Sequence, residues 1–167
     1  MAGRRDRIRM THDEGVAFLN GRHTLNLASF GPDGNIHLVA MWYGFLDGSG
    51  VYDARVDFGS GDIVIETFAK SQKVQNLRRD PRFTAIVETG EQYDQLQGME
   101  MVGRAEVIDD VPVVIESCKA VLSRYQPLDD PDDLQFAAEF AARKRVCVRL
   151  RVDKVVSWDH RKLDVPY

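Results

Sequence analysis

The sequence predicts a mainly β protein: an antiparallel barrel of six or seven strands with peripheral helices, folded as one domain of 167 residues. Three observations lead there. Met99, Met101, Gly103, Ala105 and Val107 recur at every second position. Val146, Val148, Leu150 and Val152 do the same, alternating with Cys147, Arg149, Arg151 and Asp153. The period changes to about 3.6 only between those stretches, after Asp110, and strands and helices never alternate one for one as a parallel sheet requires.

Composition narrows the function classes. The chain has 22 Lys and Arg against 26 Asp and Glu, a net charge of −4, whereas nucleic-acid binding calls for a basic excess to meet backbone phosphates. No apolar run approaches the roughly 20 residues that span a bilayer, so no membrane partner is expected. Residues 1–10 are basic with no apolar stretch behind them, which reads as a flexible tail rather than a secretory signal and places the protein in the cytoplasm. Cys118 and Cys147, the only cysteines, lie in apolar-patterned segments and are expected as buried, reduced thiols.

Thr11-His-Asp-Glu14 is a capping box opening a short helix whose apolar face is Val16, Phe18 and Leu19; Gly21 is expected to close it in the left-handed region. Residues 23–30 read as a strand, Gly31-Pro-Asp-Gly34 as a hairpin turn, and Ile36 to Leu46 as one long strand. Between Asp47 and Asp62 the signal weakens: an extended hairpin competes with a mobile flap, before a strand over Ile63 to Phe68. Val74 and Leu77, three apart, mark a short helix from Ser71 to Arg79 that Asp80-Pro81 terminates. Arg82 to Glu88 is a strand with Phe83, Ala85 and Val87 on one side. Residues 110–144 form a helical excursion. Val114, Cys118, Val121, Leu122 and Tyr125 make the first helix's stripe and Pro127 stops it; Asp130 caps a second helix with Pro131 as first residue, running to about Arg143. Residues 145–163 supply the last strand and a tail.

The usual catalytic templates are missing. There is no G-x-S-x-G elbow, H-E-x-x-H pair, Walker loop or G-x-G-x-x-G. His12, His23, His37 and His160 are too scattered for a metal-ligand pattern. The informative segment is Ile63 to Pro81, where a strand feeds a short helix and the junction carries Thr67, Lys70, Ser71 and Lys73. Free N–H groups and the positive dipole end make a helix N-terminus a natural phosphate seat. An ordinary serine N-cap flanked by solvated lysines has the same pattern.

Lys70-Ser-Gln-Lys-Val-Gln-Asn-Leu-Arg-Arg-Asp-Pro-Arg82 resembles the phosphate-binding helix of the pyridoxamine 5′-phosphate oxidase-like split barrels, which bind FMN or the deazaflavin coenzyme F420. More narrowly it resembles the F420-dependent oxidoreductase (FDOR-B) branch, including a subgroup prominent in actinobacteria. Gly31-Pro-Asp-Gly34, Ile36-His-Leu-Val-Ala-Met-Trp-Tyr43, Gly103-Arg-Ala-Glu-Val107 and Ser157-Trp-Asp-His-Arg-Lys-Leu163 extend the resemblance over residues 15–163.

The resemblance implies a homodimeric split β-barrel with cofactor sites between subunits. Lys73 matches the lysine on the cofactor phosphate, with Lys70, Ser71 and Gln72 beside it and Asn76 further along the helix. Val39, Met41 and Trp42 match strand positions lining the isoalloxazine-type ring, and Glu66 and Thr67 the neighbouring strand end. The implied activity is F420H2-dependent hydride transfer to a small unsaturated or conjugated organic substrate, the proton coming from water, Tyr43 or His37. An FMN-dependent oxidoreductase of the same fold is the alternative, and a non-catalytic carrier of F420 or a similar conjugated ligand the alternative from another class. The chain departs from several relatives in having Ser71 where they place an arginine, and in extra residues between Asp47 and Asp62. It also lacks the arginine and histidine set with which pyridoxamine phosphate oxidases hold their substrate, so vitamin B6 oxidation is not expected.

Overall fold

The computed structural model describes residues 3–47 and 61–163. Its strands are β1 (Leu25–Phe30), β2 (Ile36–Met41), β3 (Gly44–Asp47), β4 (Gly61–Phe68), β5 (Arg82–Thr89), β6 (Gln97–Ile108) and β7 (Arg145–Asp159). Five helices accompany them: α1 (Arg4–Arg7), α2 (His12–Asn20), α3 (Gln72–Arg79), α4 (Val111–Tyr125) and α5 (Pro131–Ala142). The hairpin or flap expected over 51–62 falls largely outside the described residues.

The strands form one curled antiparallel sheet in the order β2-β1-β5-β6-β7-β4-β3. The two edge strands are therefore consecutive in sequence, separated only by Trp42 and Tyr43. That join corrects one expectation. The long strand over 36–46 is two strands, β2 pairing with β1 and β3 with β4. The expected barrel is split at this point, since among the described strands no ladder links β2 to β3 and the chain itself joins them. The physical reason is the inherited twist of the sheet, which curls its two edges toward each other until one connected segment can serve both. Tyr43 turns inward at the crossing and is fully buried, edge-on to Phe45 with ring centroids 5.8 Å apart.

Strand alternation then sorts the side chains. Leu25, Leu27, Ile63, Ile65, Ala85, Val87, Met99, Met101, Val148 and Leu150 fill the inside, and Val74 and Leu77 of α3 pack onto the same core. A second cluster lies outside β4 and β7, where α4 and α5 cover Val64 and Cys147 with Val114, Cys118 and Ala138. Both cysteines are buried thiols outside any disulfide, and burial is the main reason the Cys118 thiol is pushed up to about 12. No helix among the described residues is long and apolar enough to cross a membrane.

The helix signals are local and hold up. The Glu14 N–H donates to Thr11 Oγ1 at 3.3 Å and the Thr11 N–H to Glu14 Oε2 at 2.6 Å, the reciprocal pair of a capping box. Asp110 and Asp130 cap α4 and α5. Gly21 differs from expectation: its φ of −62° and ψ of 155° are extended, not left-handed. The Gly21 N–H still bonds the Phe18 carbonyl at 3.0 Å, and the Leu19 and Gly21 carbonyls are taken by distant side chains, Tyr43 and Arg124. Residues 8–10, expected within a flexible tail, are tied down. The Asp159 N–H donates to the Ile8 carbonyl at 2.7 Å, the Met10 N–H to Ser157 Oγ at 3.2 Å, and Met10 is buried in the core.

Candidate functional site

Beyond Val64, the last residues of β4 pair only with β7, so among the described residues Ile65 to Phe68 have no strand partner on the side where β3 gives way to the Trp42–Tyr43 join. β4 turns into α3 through Ala69, Lys70 and Ser71. Thr67 is buried, and Lys73 reaches back from the first turn of α3 so that its Nζ donates to Thr67 Oγ1 at 3.1 Å. Ser71 stands at the N-cap position yet makes no side-chain cap bond. Its Oγ is buried without a hydrogen-bond partner. A buried hydroxyl is normally satisfied, because an unmade bond there forfeits its solvation. Lys70 is exposed, and Gln72 spends its amide on Asn76 Oδ1 at 2.8 Å.

Charge at this junction is partly desolvated. Burial lowers the Lys73 ammonium below the ordinary lysine value, and the nearby Glu66 carboxylate opposes that. Glu66 is itself buried, which raises it, while its ion pair with Arg145 and the proximity of Lys73 pull the other way. Arg145 also lays its guanidinium 4.9 Å from the ring centre of exposed Phe68. Asn76, three residues beyond Lys73, is fully buried: its Nδ2 donates to Ser29 Oγ at 3.2 Å, and its Oδ1 also accepts from Arg79 at 3.3 Å. Its engagements anchor α3 to β1.

At the other end of the seam, Val39 and Met41 face inward and are half-buried against the core. Trp42 is 45% exposed and stacks on Tyr125, with centroids 4.8 Å apart and planes 1° from parallel. Gly44 permits that meeting, since a Cβ there would lie 2.6 Å from backbone atoms of Ala120 and push α4 outward. Tyr125 is fixed in turn by its hydroxyl, which donates to the His23 carbonyl at 2.6 Å. Arg124 Nη2 donates to the carbonyls of Leu19 at 3.0 Å and Gly21 at 2.8 Å, and its guanidinium lies 4.8 Å from the Tyr43 ring centre.

Of the two side-chain proton donors considered from sequence, Tyr43 is withdrawn from the surface. Its hydroxyl donates to the Leu19 carbonyl at 2.7 Å, and burial holds it well above the ordinary tyrosine value. His37 is half-buried on β2, with a buried Nδ1 that makes no hydrogen bond. Sequence reasoning missed Tyr125 and Arg145. Tyr125 read as the end of a helical stripe, and Arg145 as the start of a strand; neither position carries a local signal of what it meets in space. Among the described residues no three His, Cys, Asp or Glu side chains gather as a metal site.

The sequence profile of the pyridoxamine 5′-phosphate oxidase family matches residues 11–159. The chain belongs to this family of split barrels. A solved structure of a conserved hypothetical protein from Mycobacterium tuberculosis is 37% identical, with a TM-score of 0.84 over 99% of this chain and 95% of that one. Two more distant structures share the split-barrel fold. An F420 reductase is 22% identical, TM-score 0.56, over 83% of this chain and 93% of its own. HutZ, a heme storage protein from Vibrio cholerae, is 12% identical, TM-score 0.62, over 89% and 96%. No curated protein matches the chain. The pyridoxamine phosphate oxidase-like family binds flavins and includes oxidoreductases.

Proposed function

We propose that this protein is an F420H2-dependent reductase, acting on a small unsaturated or conjugated organic substrate, with its cofactor seated along the seam from Trp42 to Lys73. The observation that carries the reading is the unpartnered, buried Ser71 Oγ at the start of α3, in the same strand–helix junction where the Lys73 ammonium reaches back to Thr67. A phosphate there accepts from the hydroxyl, the ammonium and the first-turn N–H groups that the Ser71 side chain leaves uncapped. The F420 reductase among the structural neighbours supports the choice of cofactor.

In this reading Lys73 neutralises the phosphate, Ser71 orients it, and Thr67 holds Lys73 in place. Trp42 offers an exposed aromatic face for the ring, while Val39 and Met41 close the inner wall. The bound cofactor supplies the hydride. Tyr43, consumed by its bond to Leu19, leaves His37 or water to deliver the proton. A second copy of the chain covers the outer sheet face and completes the site. That face carries Phe30, Ile36, Leu38 and Val102, all more than a third exposed, and the strand register puts Phe30 opposite Ile36. Exposed apolar side chains gathered on one sheet face mark an association face.

The test is titration of purified protein with F420 and, separately, FMN, followed by tryptophan fluorescence, then turnover of F420H2 with a panel of conjugated acceptors. Micromolar or tighter F420 binding with weak FMN binding, followed by turnover, is expected. Preference for FMN would reassign the protein to the flavin-dependent alternative, and tight F420 binding without turnover across the panel to a carrier.

A further inference from the structure

We infer that Tyr125 is a positioning residue of the ring site: it backs the indole of Trp42, so that the opposite indole face is held as a stacking platform for a planar conjugated ligand. The inference rests on the proposed placement of the cofactor ring at Trp42 and assigns the residue that makes that placement possible. The indole occupies a two-residue join between edge strands, where no ladder holds the backbone on both sides. A tryptophan that is 45% exposed at such a point has rotameric freedom, and ordering it on binding costs affinity. Tyr125 removes that freedom beforehand. The two rings are parallel to within 1° at 4.8 Å, an offset stack of the favourable kind.

Everything around Tyr125 serves to keep it there. Its hydroxyl donates to the His23 carbonyl at 2.6 Å. The preceding residue, Arg124, ties the end of α4 to the carbonyls of Leu19 and Gly21. Gly44 lets the α4 backbone press directly on β3, with no side chain between. Helix α4 is thus clamped at its C-terminal turn, the turn that presents Tyr125 to Trp42. The stack covers one face of the indole and leaves Trp42 45% exposed, so ring surface remains for a ligand.

Matched ligand pairs test this, each with and without the phosphate arm: F420 against 8-hydroxy-5-deazariboflavin, and FMN against riboflavin. Affinity and the fluorescence of the bound ring are read for wild type, Tyr125→Leu, Tyr125→Phe and Lys73→Ala. Tyr125→Leu is expected to weaken both members of a pair by the same factor, at least fivefold, and to relieve quenching of the bound ring by the indole. Tyr125→Phe, which keeps the ring and loses the bond to His23, is expected to restore binding to within twofold of wild type. Lys73→Ala is expected to weaken only the phosphate-bearing member. Wild-type binding with unchanged affinity and unchanged quenching in Tyr125→Leu overturns the platform and leaves the cofactor reading intact. So does a Tyr125→Leu loss confined to the phosphate-bearing member, or a Tyr125→Phe protein as weak as Tyr125→Leu. Wild-type protein that binds none of the four ligands overturns the cofactor reading and the platform together.

Discussion

Tyr43 and Arg124 converge on the same two carbonyls: the tyrosine hydroxyl lies 2.7 Å from Leu19 O and 3.3 Å from Gly21 O, and Arg124 Nη2 lies 3.0 and 2.8 Å from them. Together they finish α2 in place of a left-handed glycine. The Arg124 Nε is buried with no bond of its own. Because the arginine's bonds are charge-assisted and the tyrosine's is not, the two should contribute unequally. Tyr43→Phe is expected to cost about 1 kcal/mol and Arg124→Met about 3 kcal/mol. Thermal unfolding checks the order, since about 1 kcal/mol moves Tm by roughly 2–4 °C in a chain of this size. Equal losses would contradict it.

Lys73→Ala should weaken F420 binding at least tenfold, about 1.4 kcal/mol, with the fold intact by circular dichroism. Burial lowers the free-state Lys73 value, so this ammonium loses its proton earlier on the alkaline side than an ordinary lysine. Affinity for the phosphate arm should therefore fall as pH rises, and Lys73→Arg should flatten the fall. A pH-independent affinity in the wild type would remove Lys73 from the phosphate seat.

Arg145→Met should destabilise the protein by about 3–5 kcal/mol at pH 7, because it strands the Glu66 carboxylate in a buried position. The sign of the pH dependence follows from the raised Glu66 value. A folded state that holds its proton more tightly than the unfolded chain is favoured at low pH, and the advantage is lost as pH rises through the folded-state value. The gap between variant and wild type should thus narrow from pH 7 toward pH 4.5. Adding Glu66→Gln should recover most of the loss at neutral pH, and denaturant melts at the two pH values settle the matter.

Leu38 is 64% exposed on edge strand β2, within the apolar outer face. Leu38→Asp should convert a dimer to a monomer in light scattering at micromolar concentration, leaving the secondary structure unchanged. A wild-type monomer would contradict the proposed assembly.

Cys118 and Cys147 should resist alkylation in the native protein at pH 8 and react on unfolding. Both are fully buried, and the Cys118 thiol is pushed up to about 12, so little nucleophilic thiolate is present. Rapid native labelling would show that α4 and α5 open readily.

The sequence by itself determined the local features of this protein. Alternation at Met99–Val107 and Val146–Val152 named the inward faces, and the Thr11, Asp110 and Asp130 caps set where α2, α4 and α5 begin; each signal depends on neighbours within a few residues. The Lys70–Lys73 junction was legible for the same reason, being a strand end and a helix start joined by three residues. Tertiary structure alone decided that residues 36–46 split at Trp42, that Tyr125 lies against Trp42, that Arg145 pairs with Glu66, and that distant side chains hold the end of α2. Periodicity says which way a side chain points but not which strand or helix it faces. That depends on the curl of the whole sheet, which closes only when every strand is in place.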